Sequence, residues 1–297
     1  MHSKFIVFVA ALLLAPLAGL ADGLHILLTN DDGYLAPGIN AVHEALLEAG
    51  HTVTVVAPNE NQSGSRVRVT TGGELSVIER EDDVWSVGGS PADSVLVAIH
   101  RVMAGDPPDL VVSGANFGQN LARGTSSGTV GAATTAAYAG FPAIAISVGI
   151  DFRERELSPR FPSTMAAFPG AASFLVGIID QLMNADADRL MPAGTVLNIS
   201  YPALPEDQIN GARVLPGFLG SDLEIRYEDT GTANTVAASI GPRSLEAGRI
   251  EGTDVGAFRD GYIVISVFDG NWNAENSVRD EVRSLLGGFD WLARGKD

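Results

Sequence analysis

The chain has 297 residues and no cysteine, which excludes disulfides, thiolate metal sites and a cysteine nucleophile. Its 19 Lys+Arg against 36 Asp+Glu leave a formal charge of −17, so no basic stripe is available to replace the counterions of a nucleic-acid polymer. Lysine occurs at Lys4 and Lys296 alone, so the body of the chain has no P-loop lysine.

Residues 1–21 have their own composition. His2 and Lys4 precede an uncharged run, Phe5 to Ala21, that ends in Gly19-Leu20-Ala21 before Asp22. This reads as a secretory signal peptide. A retained membrane anchor is the competing reading, and Pro16 and Gly19 favour cleavage. The expectation is export to a bacterial periplasm, with no stable membrane anchor after cleavage. No later window reads as long and apolar enough to cross a bilayer.

His25–Asn30 is an apolar run ending in Asp31-Asp32-Gly33. Ile39, Val42, Leu46 and Leu47 then recur at helical spacing, and Thr52–Ala57 is a β-branched run, so the start is strand, helix, strand. Ser65–Thr71 and Glu74–Ile78, split by Gly72-Gly73, predict a hairpin. Ser90-Pro91 opens a helix carrying Val95, Ile99 and Val102. Asp109–Ser113 is a further strand, followed by a Gly/Asn/Ser-rich loop over 114–127. Gly128–Ala139 is a small-residue helix and Ala143–Val148 a strand. Ser163–Asn184 reads as a long helix, Thr195–Ser200 and Gly261–Phe268 as strands, and Asn276–Ala293 as a closing helix. Between Arg213 and Gly248 the period is mostly two, which predicts a β-rich excursion. Together these predict one α/β domain over 22–297. Its core spans about 24–200 and is a Rossmann-like, doubly wound, mostly parallel sheet; the β-rich arm and closing helix lie in an extension over about 201–297.

Chemistry gathers at the carboxyl ends of the predicted strands, where open α/β sheets bind ligands. Asp31 and Asp32 end the first strand, Asn59–Ser63 follows the second, and Asn116 follows Asp109–Ser113. Adjacent carboxylates raise each other's pKa, and a hard divalent cation relieves that conflict. The alternative is that Asp31 caps a turn and Asp32 the next helix. Ser126-Ser127-Gly128-Thr129 opens a helix whose free N–H groups suit a phosphate; ordinary N-capping by Ser127 is the alternative.

These residues carry a family resemblance. Leu27-Leu28-Thr29-Asn30-Asp31-Asp32-Gly33, Val55-Val56-Ala57-Pro58-Asn59, Gly89-Ser90-Pro91-Ala92-Asp93, Ser113-Gly114-Ala115-Asn116 and Ser127-Gly128-Thr129-Val130-Gly131 occur in this order. Leu197-Asn198-Ile199 and Gly252-Thr253-Asp254 follow. The set resembles the SurE family of metal-dependent nucleotidases. The resemblance implies hydrolysis of nucleoside monophosphates with one divalent ion, Mg²⁺ or Mn²⁺, per subunit. It implies metal ligands Asp31, Asp32, Ser63 and Asn116, with Asp31, Asp32 and Asn116 also serving catalysis. It places Asn120, Ser127, Gly128 and Thr129 on the phosphate, and implies a homodimer or homotetramer joined through a swapped C-terminal arm.

The chain also departs from the family's pattern. Over Asn120–Ser127 the loop lacks two usual aspartates and carries Arg123, which either clamps a phosphate or pairs with a surface carboxylate. Glu275 stands where many members carry His. These departures keep three alternatives open: a nucleotide- or phosphate-binding protein without turnover, a broad acid phosphatase, or an exopolyphosphatase.

Overall fold

The computed structural model describes residues 23–122, 126–185, 189–218, 220–268 and 276–285. The expected signal peptide, Arg123 and Glu275 lie outside them. The strands are β1 (His25–Thr29), β2 (Thr52–Pro58), β3 (Val77–Glu81), β4 (Val84–Val87), β5 (Leu110–Phe117), β6 (Ala143–Val148), β7 (Val196–Tyr201), β8 (Ala212–Val214), β9 (Leu223–Asp229), β10 (Val236–Pro242) and β11 (Ile263–Phe268). The helices are α1 (Pro37–Glu48), α2 (Pro91–Val97), α3 (Gly128–Tyr138), α4 (Pro162–Ala185), α5 (Ala247–Ile250), α6 (Asp254–Arg259) and α7 (Asn276–Leu285).

Nine strands form one sheet in the order β3-β4-β2-β1-β5-β6-β7-β11-β8. The run from β4 to β7 is parallel, and β3 and β11 pair antiparallel with their inner neighbours. Central strands are apolar on both faces because helices cover both. Ile26 and Leu28 of β1 face α1 and α4, where Ile39, Val42, Phe168, Leu175 and Ile179 meet them. Leu27 faces α2 and α3, against Val95, Val130 and Ala136. Each such buried aliphatic contributes about 1.5–3 kcal/mol.

Strand order reverses at β1 and β5, which are neighbours although a helix–strand excursion separates them in the chain. That reversal opens a crevice beyond the carboxyl ends of these two strands. α1 starts on Pro37 with Ala36 as N-cap and no side-chain cap. Its Gly38 lies against the Ala115 carbonyl and the Phe168 ring, where a Cβ would collide with both. α2 is opened by a capping box between Ser90 and Asp93.

Several expectations are corrected. Residues 65–71 form no strand, and the hairpin is instead β3–β4, turning at Asp82 and at Asp83, whose φ is 59°. The strand from Leu110 runs on to Phe117, so the loop begins at Gly118 rather than 114. A bulge between Ser113 and Asn116 sets the register with β6. α4 is long and apolar enough to cross a membrane by length and composition. It is instead a core helix, packing Phe168, Ala171, Ala172, Leu175 and Ile179 on the sheet. The β-rich excursion is present as expected: β8 joins the main sheet beside β11, and β9–β10 form a separate antiparallel hairpin.

Candidate functional site

The site begins where β1 stops. Asn30 closes the turn on itself, donating Nδ2 to the Gly33 carbonyl at 2.9 Å and accepting the Gly33 N–H at 3.1 Å. Gly33 takes a φ of 105°, which glycine tolerates best. The turn places Asp31 and Asp32 in the crevice between β1 and β5, and neither caps α1.

Asp31 is 4% exposed. Its Oδ1 accepts the Thr129 hydroxyl at 2.7 Å. Burial, followed by the neighbouring Asp32 charge, pushes its pKa up to about 6, against the lowering effect of Thr129. Asp32 is partly buried. Its Oδ2 accepts the Phe117 N–H at 2.8 Å and its Oδ1 accepts Asn61 Nδ2 at 3.1 Å. Burial raises its pKa as well, and the two hydrogen bonds oppose the rise. In the metal-free site Asp31 thus resists ionisation, and Asp32 is clamped by donors.

The start of α3 faces the dyad. Ser127 is its N-cap, accepting the Val130 N–H at 3.1 Å. The anion at this helix terminus is the Asp31 carboxylate, since Thr129 directs both its hydroxyl and its backbone N–H there. This refines the expectation of a phosphate cradle: Thr129 serves the aspartate first. A Cβ at Gly128 would lie 2.7 Å from Asp31 Oδ2 and 2.8 Å from Ser65 Oγ. Glycine therefore leaves a small cradle between a carboxylate oxygen and a hydroxyl. Ser65 Oγ is buried and has no hydrogen-bond partner among the described residues.

Asn116 is buried after the β5 bulge, and its Nδ2 donates to the Gly118 carbonyl at 2.5 Å, which turns Oδ1 the other way. Asn120 donates Nδ2 to Ser147 Oγ at 2.9 Å and, more loosely, to Thr129 Oγ1 at 3.3 Å. Its carbonyl accepts Asn198 Nδ2 at 2.8 Å. Asp31, Thr129, Asn120 and Ser147 therefore form one hydrogen-bonded chain. Gln119 and Leu121 of the same loop line a cavity of about 270 Å³ with Ile150, Phe152, Pro202 and Phe258.

Ser63 is exposed, and its backbone N–H donates to Asn61 Oδ1 at 3.0 Å. No described contact brings its hydroxyl to the dyad; Ser65, two positions on, and Asp31 both border the space beside Gly128. Phe117 packs against Phe161 and Phe168. Asp254, fully buried, accepts the N–H groups of Ala122, Phe218 and Val255. Sequence reasoning missed Ser65, Ser147 and the roles of Asn198 and Asp254. The Leu-Asn-Ile and Gly-Thr-Asp triplets were the available signals for the last two.

The donor set suits a hard cation. Among the described residues no group of three or more His, Asp or Glu converges. The dyad supplies two carboxylates, and other ligands must be neutral oxygens such as Asn116 Oδ1 and the unpartnered Ser65 hydroxyl. Two anions beside an orphaned hydroxyl and a glycine cradle fit a divalent ion of this kind.

Fold and site together define a Rossmann-like α/β protein with a carboxylate pair at its topological switch point. The Survival protein SurE family profile matches residues 26–217. The 5'-nucleotidase SurE of Caulobacter vibrioides (strain NA1000 / CB15N) is 30% identical over 267 residues, covering 89% of this chain and 97% of that protein. The 5'-nucleotidase SurE of Alkalilimnicola ehrlichii is 37% identical over 246 residues, covering 82% and 88%. The crystal structure of the SurE protein from Aquifex aeolicus superposes with a TM-score of 0.71 at 30% identity, covering 88% of this chain and 99% of that one. The chain belongs to the SurE family.

Proposed function

We propose that the protein is a 5'-nucleotidase that hydrolyses nucleoside monophosphates to nucleoside and phosphate. The observation that carries this reading is the Asp31–Asp32 pair, bonded to Thr129 at the start of α3 and to the Phe117 N–H beside Asn116 at the switch point. The names of the relatives support it.

Asp31, Asp32, Asn116 and a hydroxyl from Ser63 or Ser65 would hold a Mg²⁺ or Mn²⁺ ion, which when bound would supply positive charge to offset repulsion between the ester and its nucleophile. A carboxylate of the Asp31–Asp32 pair orients the attacking water and accepts its proton. Asp32 stays oriented by Phe117 and Asn61. Asn120 exchanges its long contact to Thr129 for a phosphoryl oxygen, and the Gly128 end of α3 favours the growing negative charge. Water adds to phosphorus, the ester P–O bond breaks, and the proton taken from the water returns through solvent to the leaving oxygen, so that the nucleoside departs with its hydroxyl.

The test is phosphate release from a panel of nucleoside monophosphates with Mg²⁺ or Mn²⁺ and after EDTA, with Asp32→Asn beside the wild type. Release that needs metal and is lost in the variant supports the reading. Binding of metal and nucleotide without release would favour the protein without turnover, the alternative raised by Arg123 and Glu275.

We further infer assembly through the C-terminal arm. Ile225, Tyr227, Val236 and Ile240 of β9–β10 and Val278, Val282 and Leu285 of α7 are exposed in the single chain, more apolar surface than these elements need in water. Export through cleavage after Ala21 completes the proposal, and N-terminal sequencing of the mature protein tests it.

A further inference from the structure

The face of the sheet toward α2 and α3 changes character along its length. Toward the amino ends of the parallel strands, it carries Leu27, Val111, Ala145 and Val196. At the dyad's end it carries Thr29, Ser113, Ser147, Asn198 and Ser200, all buried. Register joins them: Thr29 pairs with Ser113, Asn116 with Ser147, and Ser147 with Ser200. Thr29 Oγ1, Ser113 Oγ, Ser200 Oγ and Asn198 Oδ1 find no hydrogen-bond partner among the described residues. A face shaped for stability alone would be apolar here, as it is a few residues earlier.

Two members of this polar floor reach the Asn120 loop. Asn198, 2% exposed, donates Nδ2 to the Asn120 carbonyl at 2.8 Å. Ser147 accepts one hydrogen of the Asn120 amide at 2.9 Å. The other points at Thr129 Oγ1, itself bonded to Asp31. From the opposite side Asp254 holds the Ala122 N–H at 2.9 Å. The main chain at Asn120 is therefore fixed from β7, and its side chain from β6.

We propose that Asn198 is a positioning residue that aims the Asn120 amide at the phosphoryl group. It acts through the Asn120 backbone, while Ser147 selects which amide hydrogen remains for the ligand. The identity of that ligand rests on the phosphatase reading above; the aiming rests on the hydrogen bonds.

Asn198→Asp keeps the shape and removes the donor, and Ser147→Ala removes the acceptor. Calorimetry with Mg²⁺ and inorganic phosphate should show phosphate binding weakened about tenfold in Asn198→Asp. KM for a nucleoside monophosphate should rise in parallel, kcat should change less than about threefold, and Mn²⁺ affinity should stay within about twofold. In an Asn120→Ala background, Asn198→Asp should add no further loss. Ser147→Ala should move phosphate affinity the same way, and it serves if Asn198→Asp does not fold. Unchanged phosphate affinity, or an equal loss in both backgrounds, would overturn the proposal, as would a wild type that binds no phosphate. A wild type that binds phosphate yet hydrolyses no nucleoside monophosphate would defeat the nucleotidase reading alone, leaving the isotherms to decide this one.

Discussion

Thr129 Oγ1 donates to Asp31 Oδ1 at 2.7 Å, joining the first turn of α3 to the end of β1 across 98 positions of chain. This bond favours the ionised carboxylate, so it opposes the burial that raises the Asp31 pKa. Thr129→Val removes the donor at nearly constant volume. In the metal-free protein the titration of Asp31, followed by its carboxyl resonance in EDTA, should then move to higher pH, with Thr129→Ser restoring it. A titration unmoved in Thr129→Val would show that this bond does not govern the Asp31 carboxyl.

The raised Asp31 pKa also makes a stability statement. A carboxyl whose pKa is about 6 when folded and near 3.8 when unfolded binds its proton more tightly in the native state. Stability is therefore greatest below about pH 4 for this group and falls as pH rises through 6. The metal-free protein should lose on the order of 2–3 kcal/mol across that window from this residue, an upper bound. Chemical denaturation in EDTA at pH 4.5 and 7.5 measures it. The difference between Asp31→Asn and wild type should grow with pH in favour of the variant.

Gly128 is the tightest point of the site. Its substitution by alanine puts a methyl group 2.7–2.8 Å from Asp31 Oδ2, Asp31 Cβ and Ser65 Oγ. The helix itself would tolerate alanine. The expected result is a soluble, folded Gly128→Ala protein with metal affinity and turnover each reduced at least about tenfold. Wild-type turnover would show that the space between Asp31 and Ser65 is not used.

Asp254 tests the coupling between arm and loop. It is buried and accepts three backbone N–H groups, one of them from Ala122. Asp254→Ala leaves those donors without partners and should cost about 3 kcal/mol of stability. Hydrogen exchange should rise at Ala122 and Phe218 together, and little at β1 or β5. Uniform protection would mean that Asp254 does not hold the loop.

Much of this was legible because the strands are apolar runs punctuated by Gly, Pro and Asp. His25–Thr29, Val53–Ala57 and Ala143–Val148 have few other ways to be buried. The place of the dyad was legible at the end of β1, whereas Asn116, expected after its strand, lies within β5. The segment 65–71 misled because Val67 and Val69 alternate with Arg66 and Arg68, as a strand would. Both valines are exposed, and the segment crosses α3, where Gly131 admits the Arg66 carbonyl. A helix that comes only after β3, β4, α2 and β5 decides that path, and no local pattern reports it. Ser147 and Asn198 were hidden for the same reason, since their meaning depends on inter-strand register. Ser65 was hidden because nothing in the local sequence shows that its hydroxyl is buried beside Gly128.

The contact of Gly38 with the Ala115 carbonyl bears on attempts to transplant this chemistry. The dyad hangs from β1 and Asn116 from β5, and the pairing of these two strands sets their spacing, while α1 crosses β5 with Gly38 against the Ala115 carbonyl and the Phe168 ring. A graft onto another α/β scaffold that kept an alanine at that crossing would push the helix off the strand that carries Asn116, and copying the polar side chains alone would not restore the support behind them.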